Sequence, residues 1–282
     1  MAASRPRRLR LDAELVRRGQ ARSREHARQL IDKGRVTVNG LQAGKPATAV
    51  TVDADLVVRE DADRDDYASR GGHKLAGALE AFGGSGLAVS GRRCLDAGAS
   101  TGGFTDVLLR AGAREVVAVD VGYGQLVWSL RNDDRVRVHD RTNIRDLTTD
   151  VIGGPVDVVV GDLSFISLRL VLDALIGVTL PDGDLVLMVK PQFEVGRDRL
   201  GKGGVVRDAT LRAEAVTAVA DAAAHRGWGA VGVATSPLPG PSGNVEFFLW
   251  LRRGTPTVGP GTIAAEVGRS GGSSATGEKV GP

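Results

Sequence analysis

Four ionisable residues and one glycine loop carry the chemistry for which this sequence can be read. Lys74 lies in the helical segment SRGGHKLAGALEAFG, Asp162 ends the apolar run VDVVVGD, Lys190 ends DLVLMVK, and Glu246 opens VEFFLWLR. Any one of them alone would be an ordinary surface ion pair, but two lysines converging with two carboxylates form a group able to hold or move a proton. The loop is the GASTG of CLDAGASTGGFTDVLL, Cys94 to Leu109. Its Gly98-Ala99-Ser100-Thr101-Gly102 fits the G-x-S-x-G elbow that presents a nucleophilic serine. It fits equally a strand-to-helix turn that brings backbone close to a nucleotide-like ligand.

A serine nucleophile needs a later acid and a histidine base. His139 lies beside Asp140 in a strand end and His225 closes an amphipathic helix, so neither has turn chemistry around it. A ligand cradle needs glycines at the close approach, a helix N-terminus beyond, and an acid ending the next strand. Gly98, Gly102 and Gly103, a helix opening at Phe104, and Asp120 after EVVAV supply all three. A dinucleotide site would want G-x-G-x-x-G, which the G-x-x-x-G-G spacing here does not give. The spacing D-x-G-x-x-x-G-G from Asp96 instead resembles motif I of class I S-adenosylmethionine-dependent methyltransferases. That resemblance implies cofactor contacts from Asp96, Gly98, Ser100, Thr101, Gly102, Phe104 and Asp120, with Asp120 taking the ribose diol. It also implies Asn143 near the adenine and Asp162 facing the sulfonium.

The elements that position these groups alternate. From Arg92 onward the sequence reads CLDAG, helix 104–111, EVVAVD, helix 125–131, VRVHD, VDVVVGDLSF, helix 168–177, DLVLMVK, helix 208–226, AVGVATS and VEFFLWLR. β-branched apolar runs separated by helices predict a parallel sheet covered on both faces, with ligands at the carboxyl ends of its strands. The last two strands, joined by PLPGPSGN without a helix, predict an antiparallel edge. Glu246 then begins its strand where its parallel neighbours end. The Gly/Ser/Thr-rich stretch after Arg253 lacks periodicity and is expected to be a disordered tail over 254–282.

Composition narrows the function classes. A chain of 282 residues that is 42% hydrophobic can bury a sizeable core, and its single cysteine, Cys94, forms no intramolecular disulfide. Without an apolar leader or membrane span the expected location is cytoplasmic, with no membrane partner. No cysteine cluster or histidine pair at ligand spacing calls for a metal. The charge is uneven: residues 1–45 hold 12 Lys and Arg against 4 Asp and Glu, whereas residues 46–72 hold 3 against 7.

The basic head reads as two short helices and a hairpin. DAELVRRG has Asp12 as N-cap and Gly19 as stop; SREHARQLIDKG has Ser23 as N-cap and Gly34 as stop; RVTVNG is a strand ending in a hairpin turn at Asn39-Gly40. Basic residues crowd the polar faces, among them Arg17, Arg18, Arg22, Arg24, Arg28, Lys33 and Arg35, in a density that favours phosphate binding. The segment LRLDAELVRRGQARSREHARQLIDKGRVTVNG resembles the S4 RNA-binding domain over its whole length. Expected RNA contacts are Arg7, Arg8, Arg10, Arg22, Arg24, Arg28, Lys33 and Arg35.

SRGGHKL, LDAGASTGGFTDVLL, VDVGYGQL, DRTNIR, GDLSFISL, MVKPQFE and SPLPGPSGNVEFFLWL together resemble the TlyA family of ribose methyltransferases, related to the FtsJ/RrmJ type. The resemblance implies a class I, Rossmann-like α/β domain with a mixed seven-stranded sheet, preceded by a small α+β S4 domain. The expected limits are 1–60 for the S4 domain, 61–72 for a linker and 73–253 for the methyltransferase. It further implies S-adenosylmethionine as cofactor, Lys74, Asp162, Lys190 and Glu246 as a catalytic tetrad, and methylation of a cytidine 2′-OH in 16S or 23S ribosomal RNA, or both. Lys190 would contact the 2′-oxygen, either accepting its proton or stabilising the developing alkoxide. The other reading of the same residues is an RNA-binding assembly factor on an inactive methyltransferase fold.

Overall fold

The computed structural model describes residues 8–32, 34–58, 67–201, 203–240 and 242–270. Arg7 and Lys33, expected RNA contacts, fall outside the described residues, as do 61–66 of the connector and 271–282 of the tail. The chain forms two units, Met1–Asp66 and Tyr67–Pro282.

The first unit runs β1 (Arg8–Arg10), α1 (Leu11–Arg17), α2 (Arg24–Asp32), β2 (Val36–Val38), β3 (Leu41–Gln42), β4 (Ala49–Thr51) and β5 (Leu56–Val58). Leu11, Leu15, Ala27, Leu30, Ile31 and Val36 fill its core. The hairpin falls at Asn39-Gly40, both with positive φ, and pairs Val38 with Leu41. Ser23 Oγ accepts the His26 amide at 3.1 Å and caps α2 as expected. Asp12 does not cap α1. The helix has already begun at Leu11, and the Asp12 carboxylate is buried under Arg10 (2.9 Å) and Arg24 (3.1 Å). These partners hold it well below the usual carboxylate range.

The second unit begins at Tyr67, earlier than the expected 73. The Ala68 amide donates to Asp106, and α3 spans Gly71–Gly83. There follow β6 (Arg93–Ala97), α4 (Gly103–Arg110), β7 (Glu115–Val119), α5 (Trp128–Arg131), β8 (Val136–His139), α6 (Thr149–Ile152), β9 (Val156–Gly161) and α7 (Leu172–Gly177). The chain continues with β10 (Thr179–Val189), α8 (Pro191–Glu194), α9 (Ala209–Ala224), β11 (Trp228–Thr235), β12 (Phe247–Arg253) and α10 (Pro260–Arg269). The seven-stranded sheet has the order β11-β12-β10-β9-β6-β7-β8, with β12 alone antiparallel to its neighbours. One core fills each face of the sheet.

One expectation holds and one is corrected. The last two strands form the expected antiparallel edge of the sheet, with β12 against β10 and β11 outermost. Phe247 to Leu251 are apolar on both faces and fully covered, a burial that an edge position does not provide. The stretch after Arg253, by contrast, is not wholly a disordered tail. Helix α10 lays Ile263 and Val267, each 1% exposed, against the core, and Glu266 accepts the backbone amide and hydroxyl of Thr235 at 2.8 and 2.7 Å. At the other end of the sheet, buried Asp184 gathers Arg92, Arg252 and the Trp250 indole, fastening β12 to β10.

Helix α10 should therefore carry measurable stability. Replacing Ile263 with Ala is expected to lower the unfolding free energy by about 2–4 kcal/mol, from lost burial plus the cavity left behind. Denaturant titration checks this, and a change under about 0.5 kcal/mol, the range of surface substitutions, would show that α10 does not pack.

Candidate active site

The polar groups gather at the carboxyl edge of the parallel strands. Leaving β6, the chain must turn sharply beside β9. Gly98 does so at φ +86°, where a Cβ would lie 2.9 Å from the Asp162 carbonyl oxygen, so a side chain is excluded on two counts. Ser100 also has positive φ, and its amide donates to Asp120 at 2.8 Å, while the Gly122 amide donates to the same carboxylate at 2.7 Å. Asp120 thus ties the loop after β6 to the loop after β7. The Ser100 hydroxyl faces Gln125 at 3.3 Å. An amide side chain is no base, and the nucleophile-elbow reading ends there.

Two adjoining cavities share Gly98, Ser100, Asp162 and Ser164. One, of about 320 Å³, is lined by Lys74, Lys190, Asp162, Thr101 and Phe104; the other, of about 550 Å³, by Asp120, Gln125, Asn143, Ile144 and Val171. The first is charged, and the second offers hydrogen-bonding groups beside aliphatic walls. Asp96 and Gly102 line neither cavity. Gly102 turns at φ +99° to start α4, and a Cβ there would strike Leu126 and Leu130. Asp96 lies under the loop with no exposure and accepts the Thr105 hydroxyl at 2.7 Å. Burial raises its carboxyl to about 7, aided by the charges of Asp162 and Asp120, while the Thr105 bond acts the other way.

The four ionisable residues converge as two pairs. Lys190 Nζ sits 2.5 Å from Asp162 Oδ1 and donates to Ser164 Oγ at 2.8 Å. Lys74 Nζ lies 2.5 Å from Glu246 Oε2. Lys74 and Lys190 are 4% and 6% exposed, and Glu246, at 0%, stands behind Lys74 rather than on the cavity wall. Charges so deeply placed persist because each has a partner; removing one of a pair leaves the other uncompensated. Asn143 caps the turn that follows it, accepting the Arg145 amide at 3.0 Å. Sequence reasoning passed over Ser164 and Gln125. Ser164, two residues after Asp162 in DLSF, was exposed to discovery by that proximity alone.

In the first unit, Arg10 and Arg24 share Asp12, whereas Arg8, Arg22 and Arg28 are exposed and Arg35 is half-buried. Arg17 and Arg18 are engaged by buried Glu14, which they hold down to about 2. Arg18 also donates to the Val52 and Ala54 carbonyls, so it serves the fold. Among the described residues no helix is long and apolar enough to cross a membrane, and no group of His, Cys, Asp and Glu could hold a metal ion.

A glycine loop over the carboxyl edge of a sheet with a single antiparallel strand, joined to a small basic unit, defines a class I methyltransferase fold with an RNA-binding type of head. The chain belongs to the FtsJ-like methyltransferase family, which matches residues 67–253, in the TlyA branch that carries an S4 domain, matched over residues 9–56. It is 64% identical over 249 residues to the 16S/23S rRNA (cytidine-2′-O)-methyltransferase TlyA of Mycobacterium tuberculosis, covering 88% of this chain and 91% of that protein. It is 37% identical to hemolysin A of Brachyspira hyodysenteriae, over 85% of this chain and 98% of that one. A solved structure from Streptococcus thermophilus, described as a hemolysin, is similar with a TM-score of 0.71 and 37% identity, covering 93% and 95% of the two chains.

Two outcomes test the site's construction. Gly98→Val should abolish binding of S-adenosylmethionine in calorimetry, whereas Ser100→Ala should bind within about threefold of wild type, having lost one hydroxyl contact. The Asp96 carboxyl has a folded pKa above its unfolded one, so its contribution to stability is complete below the ordinary carboxylate range and is lost as pH rises through about 7. Asp96→Asn should accordingly flatten the fall in stability between about pH 4 and 7, read from denaturation midpoints. An unchanged slope would mean that Asp96 is ionised in the fold.

Proposed function

We propose that this chain transfers the methyl group of S-adenosylmethionine to a ribose 2′-hydroxyl of ribosomal RNA, a cytidine in the small-subunit, large-subunit or both RNAs. The observation that carries the reading is Lys190, held on the wall of the charged cavity by Asp162 and Ser164, next to the glycine loop. The base and the RNA are supported by the identity to the Mycobacterium tuberculosis enzyme.

The residues fit the cofactor: a Cβ-free backbone at Gly98, an acid and an asparagine on the larger cavity, and aliphatic walls from Ile144, Leu163 and Val171. Asp120 and Asn143 would hold the nucleoside part, and the backbone of Gly98 to Thr101 the amino-acid part. When bound, S-adenosylmethionine supplies a methyl carbon already made electrophilic by the adjoining sulfonium. The enzyme has to align the 2′-oxygen with that carbon and stabilise the charge appearing on the oxygen.

Lys190 does the second task as an ion-paired ammonium. Nζ donates to Ser164 and is ion-paired with Asp162, and an ammonium has three protons to donate, so at least one is left for the 2′-oxygen. Asp162, on the same cavity wall and beside Lys190, would take up the hydroxyl proton. Lys74, fixed by Glu246, adds positive charge to the same wall. Phe165, 91% exposed and lining the larger cavity, offers a ring face to a base turned out of its helix. The S4 unit would hold folded RNA through Arg8, Arg10, Arg22, Arg24, Arg28 and Arg35, which suits work on ribosomal subunits in the cytoplasm.

Purified protein with labelled S-adenosylmethionine and unmethylated ribosomal subunits should place label on a cytidine ribose. Lys190→Ala should slow transfer by about 100-fold or more, as for loss of one oxyanion-stabilising donor. Transfer at the wild-type rate by that variant would refute the mechanism. Absence of transfer by the wild type, with RNA still bound, would favour an assembly factor.

A further inference from the structure

The loop that follows Asp162 is fastened at a second point, which the proposed chemistry does not use. Glu194 closes α8, the single turn that starts at Pro191 immediately after Lys190, and its carboxylate is buried. It accepts the Ser167 hydroxyl at 2.5 Å and the Leu168 amide at 2.7 Å, with Arg169 Nε at 3.3 Å on the outer side. Arg169 Nη2 donates to the Glu194 carbonyl oxygen at 3.1 Å. The near end of the same loop is held by Lys190, through Asp162 and Ser164. Segments 162–168 and 190–194 are thus bonded to each other at both ends.

The backbone between those two fastenings is strained. Phe165 has φ +64°, a conformation that a residue with a bulky side chain keeps only where its surroundings over-determine it. Its ring, though 91% exposed, stands 5.4 Å from the Phe193 ring of α8, centroid to centroid. Were Ser167 and Leu168 released, the turn could relax at Phe165, and Ser164, its immediate neighbour, would move off Lys190. The partners of the nucleoside side, Asp120 and Asn143, make no bond to Glu194.

We propose that Glu194 is a positioning residue for the transfer step: by anchoring Ser167 and Leu168 it keeps the Asp162–Ser164 turn closed on Lys190 and Nζ directed into the cavity. The inference rests on Lys190 being the group that meets the 2′-oxygen. Glu194 acts through the loop and lines neither of the two cavities.

The test uses the full-length enzyme, labelled S-adenosylmethionine at saturation and unmethylated ribosomal subunits, with single-turnover rates beside cofactor affinities from calorimetry. Glu194→Ala should slow transfer by about tenfold or more, while the cofactor Kd stays within about threefold, as for a misplaced catalytic group rather than a lost binding site. Glu194→Gln keeps an oxygen for the Leu168 amide and should recover most of the rate. Ser167→Ala should give an intermediate loss, and the double variant Glu194→Ala with Ser167→Ala should be no slower than Glu194→Ala alone, because both act through one contact. If Glu194→Ala does not fold, Ser167→Ala and Glu194→Gln decide the matter: an unchanged rate in the first, or a rate and a cofactor affinity falling together in the second, overturns the proposal. Glu194→Ala transferring within about twofold of wild type, in the range of a dispensable contact, overturns it while leaving the activity standing. A wild type that transfers no methyl group sinks the activity and the inference together.

Discussion

The ion pair between Lys190 and Asp162 sets what the rest of the fold has to provide. Two full charges at the rim of a hydrophobic sheet persist only if each finds partners at hydrogen-bond distance. The parallel register of β9 and β10, which sets Leu187 beside Gly161, brings both chain exits to one level, and Ser164 completes the ammonium's surroundings. The same edge has to limit its negative charge. Asp96 lies beneath the loop that Asp120 and Asp162 flank, and burial together with those charges keeps it protonated to about pH 7. Burial thus sets one acid apart, raised and structural beneath the loop, while Asp120 and Asp162 line the cavities.

The second pair depends on the one strand that runs the other way. β12 pairs Phe247 with Val189, so Glu246, immediately before Phe247, arrives at the level of Lys190 without a crossover helix to carry it there. Lys74 comes from outside the sheet, on α3, and meets Glu246 because Leu75, Ala78 and Phe82 pack that helix into the core beside Trp250 and Phe248. The antiparallel insertion is therefore the topological means by which a carboxylate reaches an edge otherwise built from strand C-termini. Asp184, holding Arg252 and Trp250 at the far end, keeps β12 from sliding along β10.

The convergence of these four ionisable residues was legible in the sequence because each adjoins an apolar run or sits on a strongly patterned helix, and strand ends in such sheets share one edge. What could not be read was the pairing. Nothing in the spacing says that Lys190 takes Asp162 and Lys74 takes Glu246, since that follows from strand order. Asp96 and Gly102 looked like cofactor contacts because a motif counts residues, whereas the fold turns one under the loop and the other into Leu126 and Leu130. The antiparallel edge was readable from the helix-free link between its two strands, and FFLWL, with no polar face, is the inner of the two. Helix α10 was not, because its stripe is only Ile263 and Val267 among glycines and alanines, and its anchoring bond, Glu266 to Thr235, is non-local. Ser164 and Glu194 escaped for the same reason; their meaning lies in partners 26 and 27 residues away.

The acids of the S4 unit show how a basic face can be ordered rather than merely charged. Asp12 looked like a cap, yet it and Glu14 are both buried and each collects two arginines. Glu14 spends Arg18 on the backbone of Val52 and Ala54, removing it from the surface. Asp12 leaves Arg10 and Arg24 about half exposed, and with one guanidinium edge occupied by the carboxylate each has donors left to present outward. A flexible arginine loses rotamer entropy when it grips a phosphate, whereas one already held loses less. The cost of Asp12 is one unit of opposing charge; what it supplies is a fixed pair of donors. Phosphate affinity read from such a unit depends on the geometry of a few held arginines as well as on the number of basic residues in the sequence.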